Sequence, residues 1–105
     1  MIVTFEKEYL RNLYEKGKSE DKKYRFQPDV IKKYKKRIET LQDAERIENL
    51  FAINALNYEV LKGDKAGISS IRVNDKYRIE FMVTDNGVES VVTVCNIIEL
   101  SNHYK

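Results

Sequence analysis

Residues 68–84, ISSIRVNDKYRIEFMVT, hold two extended runs around one turn. Residues 68–73 and 76–84 are rich in β-branched and aromatic side chains, and Asn74-Asp75 between them supplies turn chemistry. Side chains alternate across a strand, so Tyr77, Ile79, Phe81 and Val83 share one face while Lys76, Arg78, Glu80 and Met82 share the other. One face is therefore a core face, and the other carries charge. Asp85-Asn86-Gly87 then turns the chain into a further run, residues 88–98, giving an antiparallel meander of three strands. That last run is apolar on both faces, Val92, Val94 and Ile98 against Val91, Cys95 and Ile97, as suits an interior, covered strand.

Outward from the meander the period changes. Residues 56–63 read as one more strand. Before them, Asp43 suits the cap of a short helix running through Leu50 and carrying Ile47, Leu50 and Phe51 inward. Pro28 suits the first turn of a longer helix with Asp29 beside its positive end, and Val30, Ile31, Tyr34, Ile38 and Leu41 form its apolar stripe. Lys32, Lys33, Lys35, Lys36 and Arg37 fall mostly off that stripe, as a solvated face would place them. Residues 6–16 read as a first helix, with Tyr9, Leu10, Leu13 and Tyr14 on one face and Gly17 as its stop. Residues 1–5 suit a short strand. The expected fold class is α+β: N-terminal helices packed on one face of a twisted antiparallel β-sheet, in a single domain over residues 1–105.

Bulk properties agree. A chain of 105 residues has room for one core, and 42% apolar with 34% charged residues is ordinary for a well-solvated globular protein. No apolar run approaches a membrane span, the start lacks signal-peptide character, and the single Cys95 has no internal disulfide partner; these favour the cytoplasm. Nineteen basic against seventeen acidic residues leave a net charge of only +2. The distribution says more: acids dominate residues 43–59, whereas Lys62, Lys65, Arg72, Lys76 and Arg78 outnumber Asp64 and Asp75 in residues 62–78, a mild basic bias on the sheet segment.

Several chemistries lack their residues. There is no Gly-rich phosphate loop, no cysteine pair and, with one His, no His-rich metal site or Ser-His-Asp order. An enzyme of this composition works without metal or other cofactor, through positioned cations and a few proton carriers. RNA is a substrate for which that suffices: a base frees the 2′-hydroxyl, a cation stabilises the phosphoryl oxygens, and an acid protonates the leaving 5′-oxygen. Arg78, on the exposed face of a rigid strand, is the candidate for the phosphate, because a guanidinium matches it bidentately and stays charged. His103 is the natural proton carrier, its unperturbed pKa lying near neutrality. Arg72 and Arg78 also have structural partners within reach of sequence logic, as ion pairs with Glu80 or Glu89.

The stretches Leu61-Lys62-Gly63-Asp64-Lys65-Ala66-Gly67, Ser70-Ile71-Arg72-Val73-Asn74 and Tyr77-Arg78-Ile79-Glu80-Phe81, with residues 13–17 and the order of helices before strands, closely resemble the RelE/ParE toxin superfamily, most of all its HigB branch. The resemblance implies a RelE-like fold and a toxin of a type II toxin–antitoxin system, an mRNA interferase acting on translated messages at the ribosome. It also implies a cognate helix-turn-helix, HigA-like antitoxin. By position Arg78 matches the family's strand arginine and Lys62 the lysine of its Leu-Lys-Gly motif. Where HigB-like sequences often carry His-Pro, this chain has Glu59-Val60, so Glu59 stands where the base would be. Where many members end in Asp-Tyr-His, this chain has Ser101-Asn102-His103-Tyr104-Lys105, so His103 and Tyr104 are the candidate equivalents. The catalytic candidates are thus Arg78, His103, Tyr104 and Glu59, and the RNA-binding candidates Lys62, Lys65, Arg72 and Lys76. Two other readings stay open: a ParE-like, non-enzymatic toxin that binds DNA gyrase, and a catalytically degenerate module that binds its antitoxin alone.

Overall fold

The computed structural model describes residues 1–85 and 93–102. The chain runs β1 (Ile2–Phe5), α1 (Glu8–Glu15), α2 (Pro28–Asp43), α3 (Glu48–Phe51), β2 (Glu59–Val60), β3 (Ser69–Arg72), β4 (Arg78–Asp85) and β5 (Thr93–Ser101), with single 3-10 turns at Lys22–Tyr24, Asn54–Leu56 and Gly63–Lys65. The strands form one sheet in the order β1-β5-β4-β3-β2. The β2–β3, β3–β4 and β4–β5 pairs are antiparallel, as the meander predicts, and β5 is an interior strand.

The helices form because each presents one apolar stripe to the same sheet face. Tyr9, Leu10 and Leu13 of α1 and Val30, Tyr34, Ile38 and Leu41 of α2 are buried against Ile71, Ile79, Phe81, Cys95, Ile97 and Leu100. Pro28 starts α2, where its missing N–H costs nothing. The Tyr34 hydroxyl, wholly buried, donates to the Leu10 carbonyl at 2.7 Å and ties α2 to α1. Tyr9 stacks on Tyr24 with ring centroids 3.7 Å apart, which anchors the polar 18–27 connection to the core. Among the described residues no helix is long and apolar enough to cross a membrane.

The structure departs from the sequence reading in several places, one of them Phe51, expected to face inward with Leu50 but 58% exposed. The sheet is not wholly antiparallel: β1 pairs with β5 in parallel, Ile2 opposite Val94 through Phe5 opposite Ile97. Three helices separate β1 from the meander, so the chain returns by a crossover, as parallel pairing requires. The Met1 amine meanwhile donates to the carbonyls of Leu41 and Gln42 in the last turn of α2 and of Ala44 just beyond it. Asp43 is not a cap; it ends α2, and α3 is one turn from Glu48. The Asn49 side chain accepts from the Glu45 and Arg46 amides and shapes the bend there. The strand expected over residues 56–63 shrinks to Glu59–Val60, because Leu56 closes a 3-10 turn and Asn57 takes a left-handed conformation with φ 44°. Finally, the β4–β5 register slips between Glu80 and Phe81, leaving Ile98 as the extra residue of a bulge. The expected turn at residues 85–87 and the first part of the last run, residues 88–92, lie largely outside the described residues.

Candidate functional site

On the face turned away from the helices, cross-strand pairs place Glu59 opposite Ser70, Ser70 opposite Glu80, Arg72 opposite Arg78, and Arg78 opposite Ser101. Sequence alternation predicts a charged, exposed face, but the structure buries it: Arg78 is 6% exposed and Glu80 1%. The physical reason is the 57–65 segment, which folds back over the face. Arg78 donates from Nε to Ser70 Oγ at 2.6 Å, and from Nη2 to the Asn57 carbonyl at 2.6 Å and the Ser70 carbonyl at 3.2 Å. The left-handed turn at Asn57, tolerated by asparagine more than by most residues, brings that carbonyl round to the guanidinium.

Glu59, in β2, places Oε1 3.8 Å from Arg78 Nε, and half of its side chain stays open to solvent. A fixed arginine thus floors a site whose carboxylate is reachable from outside. Lys65 crosses from the Gly63–Lys65 turn to Glu80, donating to both carboxylate oxygens at 3.1 and 2.9 Å. Lys62 is exposed just before that turn, and Lys76 is exposed in the β3–β4 turn. That turn is ordered by Asn74 Oδ1, which accepts from the Lys76 and Tyr77 amides at 2.9 and 2.8 Å. Arg72 is bound to Asp75, and its carbonyl accepts from Arg37 Nε at 2.9 Å. Partial burial, with Arg72 nearby, pulls the Arg37 guanidinium below its usual range.

The structure therefore brings Arg78, Glu59 and Lys65 together, sets Arg72 beside them on β3, and leaves Lys62 and Lys76 as outlying cations. His103 and Tyr104 lie outside the described residues; the last strand residue before them, Ser101, is the cross-strand partner of Arg78. Asn57, Ser70 and Glu80 belong to the arrangement and were not among the sequence candidates. Alternation alone could have found Glu80, two residues from Arg78 on the same face, whereas nothing in the sequence announces a carbonyl ligand such as Asn57. Among the described residues there is no group of three His, Cys, Asp or Glu placed to hold a metal ion.

The family model of the HigB-like toxins, RelE-like toxins of type II toxin–antitoxin systems, matches residues 3–93. The chain belongs to this family. The HigB-like toxin accordingly has an antitoxin as its partner. Its fold resembles the YoeB/ParE toxin from Agrobacterium tumefaciens with a TM-score of 0.62 at 22% sequence identity, covering 99% of this chain and 100% of that one. No curated protein matches the sequence.

Proposed function

We propose that this toxin is an endoribonuclease that cuts translated mRNA at the ribosome by attack of the 2′-hydroxyl on the adjacent phosphate. The observation that carries the reading is the Glu59 carboxylate, half open to solvent and 3.8 Å from an arginine locked into the sheet. Glu59 takes the 2′-hydroxyl proton, and the 2′-oxygen bonds to phosphorus. The bond to the 5′-oxygen breaks, and that oxygen takes a proton from His103 or Tyr104. The products are a 2′,3′-cyclic phosphate and a 5′-hydroxyl. A positioned base of this kind contributes roughly 10²–10⁴-fold.

Arg78 supplies positive potential at the phosphate from a fixed position in a partly desolvated floor, where a preorganised charge does more than one free in water. Its bonds to Ser70 and Asn57 hold it there without reorganisation. The exposed Lys62 and Lys76, with Arg72, attract phosphates without reading sequence. The ribosome supplies the orientation that so open a site lacks. Primer extension on a reporter mRNA after brief induction tests this. Discrete cuts within translated codons, absent in Glu59→Gln, support it; growth arrest without cuts refutes it and favours a toxin that binds its target without cleaving RNA.

A further inference from the structure

We propose that Lys65 and Glu80 form a strut that holds residues 61–67 over the sheet and thereby orders the loop that carries the exposed Lys62. Both are then positioning residues, and Lys65 is not itself an RNA contact. The inference rests on the reading of the site given above.

The segment has little else to hold it. Gly63 and Gly67 both adopt left-handed φ, 71° and 87°, and neither has an atom within 4 Å of where a Cβ would stand. Such a segment is conformationally loose in the absence of tertiary ties. Its local backbone bonds are few: Leu61 N to Ile68 O at 2.8 Å, Ala66 N to Gly63 O at 3.1 Å and Ile68 N to Lys65 O at 3.0 Å. One end is fixed where Glu59 pairs with Ser70 and meets Arg78. The other end runs into β3, where Val60 pairs with Ser69, and the turn between them is fixed by Lys65, which bonds both Glu80 oxygens while its own side chain remains 39% exposed. Lys62 lies between these two anchors, exposed.

Burial explains why the pair persists. The Glu80 side chain is 2% exposed, and its cross-strand partner on β5 is Glu99, so two like charges face each other across the ladder. The Lys65 ammonium offsets that repulsion at the buried member. Exchanging the carboxylate for water would leave a desolvated charge, so the pair does not behave as an ordinary surface bridge that salt dissolves. A lysine so engaged is unavailable to phosphate, although sequence position alone makes it look like an RNA ligand.

Opposite signs separate the two roles of Lys65. If it is a strut, Glu80→Gln and Lys65→Met each lower kcat/KM on programmed ribosomes by about tenfold, the scale of losing one charge-assisted contact from Lys62. The double variant is then no worse than either single one. If Lys65 instead contacts RNA, Glu80→Gln frees its ammonium and raises RNA affinity, while Lys65→Met lowers it; that pattern overturns the proposal. A second readout needs no catalysis: in the free toxin the Ala66 and Ile68 amides should exchange at least about tenfold faster in each single variant, with the exchange of core amides such as Ile79 unchanged. Unchanged exchange at Ala66 and Ile68 overturns the strut. A wild-type toxin that cuts no message refutes the reading of the site and with it the RNA role of Lys62, while the exchange rates still decide whether the strut exists.

Discussion

Replacing Arg78 with lysine keeps the charge and removes the fork. The guanidinium makes bonds of 2.6 Å to Ser70 Oγ, 2.6 Å to the Asn57 carbonyl and 3.2 Å to the Ser70 carbonyl, and lies 3.8 Å from Glu59. A lysine ammonium sits at the end of one stem and cannot occupy both the Nε and Nη2 positions, so at least one of these acceptors loses its donor. Hydrogen bonds to charged groups are worth roughly 1.5–3 kcal/mol each, and the orphaned acceptor adds its own desolvation. Arg78→Lys should therefore destabilise the toxin by about 3 kcal/mol, lowering the melting temperature by on the order of 15 °C. Urea unfolding with an unchanged slope measures the first quantity and a thermal melt the second. Cleavage, assayed below the variant's melting temperature, should fall at least about 100-fold, as when a positioned oxyanion donor is lost. A variant within about 1 kcal/mol of wild type would show that the guanidinium does not organise this face. The same geometry means that growth arrest lost in Arg78→Ala is informative only when folding has been measured beside it.

Other consequences follow from single contacts. Tyr34→Phe deletes a buried 2.7 Å bond to Leu10 and should cost about 1–2 kcal/mol by urea unfolding with cleavage intact; a neutral result would show that α1 and α2 are held by packing alone. Burial first, with Glu99, Tyr24 and Glu80 adding to it, pushes the Tyr9 phenol up to about 12, against a smaller opposing effect of the Leu100 amide. Burial, then Tyr9, raises Tyr34 as well. The unfolded phenols lose protons near 10 while the folded ones retain them, so this stability is complete below about pH 10 and is lost as pH rises toward 12. Unfolding free energies that stay flat across that window would contradict the burial of these rings. Lys76→Ala should reduce the slope of log affinity against log salt for single-stranded RNA by about 0.7, with no change in melting temperature; an unchanged slope would remove Lys76 from the interface.

The meander was legible because its signals are local: alternation in residues 76–84, Asn74 in the turn, and apolar stripes in both long helices. The parallel β1–β5 pair was not, since nothing within residues 1–5 records which strand 90 residues away will receive them. The 56–63 segment misled for a related reason. Its residues suit a strand individually, yet the left-handed Asn57 and the two-residue β2 answer to Arg78, a tertiary partner. In the site, residue type and strand position marked Arg78, whereas Glu59 came from the resemblance to HigB-like sequences. Burial was not: alternation marks Arg78 and Glu80 as off the helix-facing core, and only the returning 57–65 segment reveals that this second face is covered too. Lys65 illustrates the limit, because its bonds to both Glu80 oxygens, fifteen residues away, are not visible in the sequence.

The chemistry of the cut ends tests the central claim most directly. Wild-type toxin should be added to ribosomes translating a defined message, and the fragments assayed for their termini. Attack by the 2′-hydroxyl predicts a 5′-hydroxyl on the downstream fragment, labelled by polynucleotide kinase without prior phosphatase, and a 2′,3′-cyclic phosphate upstream, with yields falling sharply in Glu59→Gln. Downstream fragments bearing a 5′-phosphate, or intact message under a toxin that still arrests growth, would contradict the account.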